Sequence, residues 1–182
     1  MDKDSIAFAQ MFVDAFGFDL REHSSTAETP KRWISAMREL MEGVNEDPKT
    51  NIKVFPSSND QMVVVRNIEF FSLCEHHLLP FFGTCTVGYI PNGQVIGLSK
   101  IPRIVKCFAR RPQVQENMTD QIANFLFEEL GPKGVGVHTI GQHLCMMSRG
   151  IKQVDAIMHT TSLRGNFQNI GTKQEFLSYG RS

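Results

Sequence analysis

The sequence predicts an α+β fold with antiparallel strand pairing. Three observations carry this: two amphipathic helical segments near the start, a change from helical to extended hydrophobic period after about residue 60, and a further helix pair set between two groups of extended runs. Strands grouped in this way pair antiparallel, whereas strictly alternating strands and helices build a parallel sheet. At 182 residues the chain suits one domain with an appendage. Residues 1–50 are expected to form a helical segment and 51–182 the main domain. A chain of this length buries about two-thirds of the surface its unfolded form exposes and needs no disulfide staples.

From Ser5 to Phe16, the residues Phe8, Met11, Phe12, Ala15 and Phe16 fall at helical spacing, and Gly17 ends the run. Thr29-Pro30 reads as an N-cap with proline at the first helical position. Trp33, Ile34, Met37, Leu40, Met41 and Val44 then form an apolar stripe, expected to be core or subunit contact. Glu46 to Asp60 is a polar connector. Met62 to Ser72 is β-branched and aromatic enough for a strand. Gly83 to Ile90 and Gln94 to Leu98 follow as two more, joined by the turn signature Pro91-Asn92-Gly93. Ser99 caps a short helix with Ile101, Ile104, Val105 and Phe108 on one face. Pro112 is expected to start a second, with Val114, Met118, Ile122, Phe125, Leu126 and Leu130 at helical spacing until Gly131. Gly134 to Arg149 returns to extended patterning, Gln153 to Leu163 is another strand, and Glu175 to Tyr179 closes the chain.

Charge excludes some functions. The net charge is zero, so no whole-molecule field draws the chain to nucleic acid or membrane. The distribution is uneven: from His76 to Gln115 no acidic residue occurs, while Lys100, Arg103, Lys106, Arg110 and Arg111 all fall there. A local positive field on a neutral protein suits a small anionic ligand better than a polymer. The four cysteines, Cys74, Cys85, Cys107 and Cys145, are irregularly spaced with no signal peptide ahead of them. The expectation is a cytoplasmic chain with free thiols. No apolar run approaches the roughly 18 to 20 residues of a membrane span.

The chemistry concentrates in Cys74-Glu75-His76-His77-Leu78-Leu79-Pro80, matched far along the chain by His143-Leu144-Cys145. A thiol and an imidazole with two residues between them converge on one ion across a tight turn. If residues 143–145 are extended, His143 and Cys145 point the same way. Thiolate sulfur with imidazole nitrogen is the donor set zinc prefers. Three ligands leave an open, catalytic position and four close a structural site; five candidates allow either. The favoured arrangement puts Cys74, His77 and Cys145 on the metal, with His76 and His143 as proton donors and acceptors. Lys100 and Arg103 at a helix N-terminus make an anion site, for which polyphosphate is the obvious ligand. Glu116, in the first turn of the next helix, either caps it or grips a ligand carrying paired N–H donors.

The runs CEHHLLPFFG, VIGLSKIPRIVKCFARRPQVQENMTDQIA and GVGVHTIGQHLCMMSRG, in this order, resemble GTP cyclohydrolase I, and the likeness extends from Thr29 essentially to the C-terminus. The resemblance implies a tunnelling fold, an antiparallel sheet with a helix pair on one side, assembled as two stacked pentameric rings with active sites at subunit interfaces. It implies zinc-dependent hydrolysis of GTP at guanine C8 to formate and 7,8-dihydroneopterin triphosphate, the first step towards pterins and folate or 7-deazaguanines. Carried over by position, the zinc ligands are Cys74, His77 and Cys145, and the proton-transfer groups His76 and His143, with Ser99 assisting the ribose rearrangement. Gln115 and Glu116 match the guanine-recognition pair. Ser99, Lys100, Arg103 and Arg149 match the residues around ribose and triphosphate, and Arg32 matches a phosphate contact from a neighbouring subunit. Some members carry a lysine one helical turn after that arginine; Ser35 stands there here.

Overall fold

A computed structural model describes residues 2–180. The chain forms two compact units that divide between Met41 and Glu42. In the first, α1 (Lys3–Phe16) begins where the Asp2 carboxylate accepts from the Ser5 N–H at 3.0 Å and ends at Gly17, whose φ of 64° only glycine adopts freely. α2 (Thr29–Leu40) starts one residue earlier than expected: Thr29 is already helical, Pro30 lies in the first turn, and Glu28 occupies the cap position without a side-chain bond. Trp33 stacks on Phe8 with ring centroids 4.2 Å apart, yet it stays 38% exposed. The expected apolar stripe is therefore only partly covered within the chain.

The second unit is built on a five-stranded sheet. Its strands are β2 (Val63–Cys74), β3 (Pro80–Ile90), β5 (Pro112–Gln113), β6 (Gly134–His143) and β7 (Met158–Gly165), in the spatial order β5-β2-β3-β6-β7. All pairs are antiparallel except β2 with the two-residue β5. A separate two-stranded ribbon pairs β1 (Val54–Pro56) with β4 (Gln94–Ile96). The 91–93 turn thus leads out of the main sheet rather than closing a hairpin within it. α3 (Lys100–Ala109) and α4 (Gln115–Leu130) cover one face of the sheet. Ile101, Ile104, Val105, Met118, Ile122 and Leu126 pack there against Ile68, Phe70, Cys85, Val87, Val135 and Val137. From Asn67 to Ser72 buried and exposed positions alternate along β2, the period of two of a half-buried strand. On the opposite face, the cross-strand partners Gly88 and Gly136 make a floor without side chains on which Phe167 and Phe176 sit. Phe176 belongs to α6 (Ile170–Ser178), so the segment around Glu175 to Tyr179 is helical.

Other expected boundaries differ as well. Pro112 begins no helix: it and Gln113 pair with Leu73 and Cys74, and α4 starts only at Gln115 after an extended Val114. The last strand begins at Met158 rather than Gln153. β6 stops at His143, and residues 144–147 turn into the short helix α5 (Leu144–Met147). Cys145 and Arg149 therefore do not continue the strand, and the predicted shared face of His143 and Cys145 is replaced by a strand-to-helix corner. No helix among the described residues is long and apolar enough to cross a membrane.

Candidate metal centre and its surroundings

The Cys74 turn lies between β2 and β3 and is held by backbone bonds. The Cys74 carbonyl accepts from the His77 N–H at 3.2 Å and the Leu78 N–H at 2.8 Å, and the Cys74 N–H donates to Leu79 O at 2.9 Å. Leu78, directly after the CxxH spacing, adopts φ 53°, a left-handed step at the point where the chain turns back towards β3. The Glu75 N–H donates to Gln113 O at 3.0 Å, stitching the turn to the segment that launches α4. Phe81, at the start of β3, is the register partner of His143, the last residue of β6. That pairing carries the α5 corner, and with it Cys145, to the turn.

Donor atoms of Cys74, His77 and Cys145 all lie within 4.8 Å of one another, and Cys74 Sγ stands 3.7 Å from His77 Nδ1. A tetrahedral zinc with bonds of about 2.3 Å to sulfur and about 2.0 Å to nitrogen separates its ligand atoms by roughly 3.5 to 3.8 Å. The cluster fits. The electrostatics agree: burial first, and then the neighbouring Cys74 sulfur, push the Cys145 thiol above its usual range. A thiol whose ionisation is disfavoured in this way is what a neighbouring dication relieves. His76 Nδ1 lies 3.8 Å from the same Cys74 sulfur, but its ring is exposed and outside the three-donor group. Arg149 Nη1 lies 3.2 Å from His77 Nε2, which brings one expected phosphate contact to the rim of the cluster.

His143 is half-buried and held on two sides. Its ring stacks on Phe81 at 4.6 Å between centroids with an interplanar angle of 2°, and its Nε2 lies 2.9 Å from Gln115 Oε1. Burial holds its pKa below the usual histidine value, and the Glu116 charge pulls the other way. Glu116 is exposed and lines a cavity of about 440 Å³ with Asn117, Asp120 and residues of β7, whereas the Gln115 side chain has no exposed surface. Ser99 occupies the cap position of α3 without making a side-chain cap bond, and its hydroxyl is on exposed ground next to the half-buried Lys100. Arg103 lines a different cavity, of about 450 Å³, beside Glu42, Glu46, Asp47 and Lys106. Arg32 is exposed on α2, in the first unit. Phe81, and Thr139 and Thr160, whose hydroxyls lie 3.2 and 3.4 Å from Gln115 Nε2, were invisible to sequence patterning, because their roles arise from pairings between distant strands.

A family profile described as GTP cyclohydrolase I matches residues 7–181. Curated relatives bearing the name GTP cyclohydrolase 1 include one from Campylobacter curvus, 52% identical over 154 residues and covering 83% of this chain and 81% of its own. One from Hahella chejuensis is 44% identical, covering 95% and 93%, and one from Wolinella succinogenes is 42% identical over the full length of both. Among solved structures, the archaeosine synthase QueF-Like in its apo form superposes with a TM-score of 0.50 at 15% identity, covering 60% of this chain and 98% of that one. At that identity the likeness speaks for the α+β fold alone. The Cys/His/Cys cluster, the profile match over residues 7–181 and similarity over most or all of these relatives' length agree, and the chain belongs to the GTP cyclohydrolase I family.

Proposed function

We propose that this enzyme hydrolyses GTP at guanine C8, releasing formate and forming 7,8-dihydroneopterin triphosphate. The observation that carries the proposal is the convergence of Cys74, His77 and Cys145 at a corner next to His143. Cys74, His77 and Cys145 would hold a zinc ion, which would supply Lewis acidity and an activated water when bound. His143, beside the cluster, takes up a proton from solvent and delivers it to guanine N7, which makes C8 electrophilic. His76, exposed beside the cluster, and Ser99 move protons during ribose opening and reclosure. The Glu116 carboxylate accepts from the guanine ring N–H and the exocyclic amine together, a pattern adenine does not offer. Gln115, its neighbour in the matched pair, has no exposed surface and supports the pocket from behind. Lys100, Arg103 and Arg149, with Arg32 from a neighbouring subunit, carry the triphosphate. Holding the nucleotide at both ends fixes C8, and misplacement by about an ångström costs on the order of a hundredfold in rate.

The assembly proposed is a decamer of two pentamers. β7 is an edge strand of the described sheet, and an unpaired edge is a template for joining sheets between subunits. All four cysteines are free, which supports work in the reducing cytoplasm. The test is incubation of zinc-loaded protein with GTP and, separately, ATP, following formate and the fluorescent pterin formed on oxidation. GTP is expected to yield both and ATP neither. Zinc-loaded protein that leaves GTP intact contradicts the proposal.

A further inference from the structure

The side chain of Gln115 has no exposed surface, and its surroundings determine which end of the amide faces which way. One end lies 3.3 Å from Thr139 O and 3.0 Å from Met158 O. Both are carbonyl oxygens, which only accept, so this end is the NH2 group. It also meets Thr139 Oγ1 at 3.2 Å and Thr160 Oγ1 at 3.4 Å. The other end is therefore the oxygen, and it faces His143 Nε2 at 2.9 Å. An amide oxygen only accepts, so Nε2 must carry a hydrogen, and Nδ1 is the one ring nitrogen left to exchange a proton.

The seat of Gln115 is itself built. The hydroxyls of Thr119, Thr139 and Thr160 lie 2.5 to 2.7 Å from one another, and Thr119 Oγ1 donates to Gln115 O at 2.7 Å. Gly141 passes directly beneath: a Cβ there would overlap Gln115 Oε1 and crowd its carbonyl carbon at 3.2 Å. The flat stack of Phe81 on the imidazole removes the remaining rotation.

We infer that Gln115, seated by Thr139, Thr160 and the bare backbone of Gly141, is a positioning residue that locks His143 as the Nε2–H tautomer and makes Nδ1 its proton-exchanging atom. This rests on the role of His143 proposed above. Supporting groups of this kind typically contribute 10- to 100-fold to activity. Gly141→Ala and Gln115→Leu are expected to lower kcat by that range, with KM for GTP within about twofold of wild type and zinc content unchanged. Thr139→Val is expected to lower kcat less, and Thr139→Ser to restore it.

The experiment measures these kinetics alongside 15N-histidine NMR of the zinc-loaded wild type, with the His143 signal identified by its loss in His143→Gln. A protonated Nε2 in the wild type, giving way to mixed tautomers in Gly141→Ala, is the expected result. A hydrogen on Nδ1 alone in the wild type overturns the inference even if no variant folds, as does unchanged kcat in folded, zinc-loaded Gly141→Ala and Gln115→Leu. Full turnover by His143→Gln would remove the catalytic role instead, leaving the tautomer measurement to stand separately.

Discussion

The donor types around the centre decide what each residue does, and substitutions separate those roles. His143→Ala is expected to retain zinc and lower kcat by about 10²- to 10⁴-fold, the usual contribution of a positioned acid or base. In the proposed binding mode, Glu116→Gln removes a charged acceptor facing two donors. At roughly 1.5 to 3 kcal/mol for such a bond, kcat/KM for GTP should fall by about 10- to 150-fold with metal content intact. A separate titration lies on the far face of β6, where His138 Nε2 stands 3.2 Å from His159 Nδ1. Burial, and then the charge of His159, hold His138 below its ordinary pKa, so the folded state favours its neutral form more than the unfolded chain does. That contribution is present above about pH 6.5 and is lost as the pH falls through and below it. The thermal midpoint is expected to drop between pH 7.5 and 5.5, and to drop less in His138→Asn; equal drops would refute this. At this scale the centre was legible, because Cys74, His77 and Cys145 declare their chemistry by type and spacing. The Gln115 carboxamide was not: its sequence position suggested only ligand binding, while its partners come from β6 and β7.

Elements bring these side chains together, and the core beneath them sets the tolerance. Ile122 and Leu126 on α4 are almost wholly buried, so truncating either to alanine should cost about 2 to 5 kcal/mol, measured by denaturant unfolding. On the opposite face, Gly136→Ala drives a methyl into the ring of Phe167, which is itself fully buried. An overpacking cost of about 1 to 3 kcal/mol is expected there. The helical faces were legible because their apolar spacing survives any context. The strand ends were not. β6 loses its β3 partner after the Phe81–His143 pair, so Leu144-Cys145-Met146-Met147 coils into α5 despite an apolar run that reads as extended. Pro112 looked like a helix start, but its missing N–H suits an edge position equally, and β2 captured it. Local propensity names what a segment can be; pairing with a distant segment decided which.

At the scale of the whole molecule, two remote stretches, 74–77 and 143–145, become one site only because β3 and β6 are neighbours in the sheet. Chelating the proposed zinc is therefore expected to abolish formate release and lower the thermal midpoint, both returning on addition of zinc. Light scattering of the loaded protein should give ten chains per particle. The most direct measurement is zinc content and formate release in Cys145→Ala. Loss of stoichiometric zinc together with loss of formate is the predicted result, since two donors cannot replace three. Full metal occupancy with normal turnover would contradict the assignment of the centre and the reaction proposed at it.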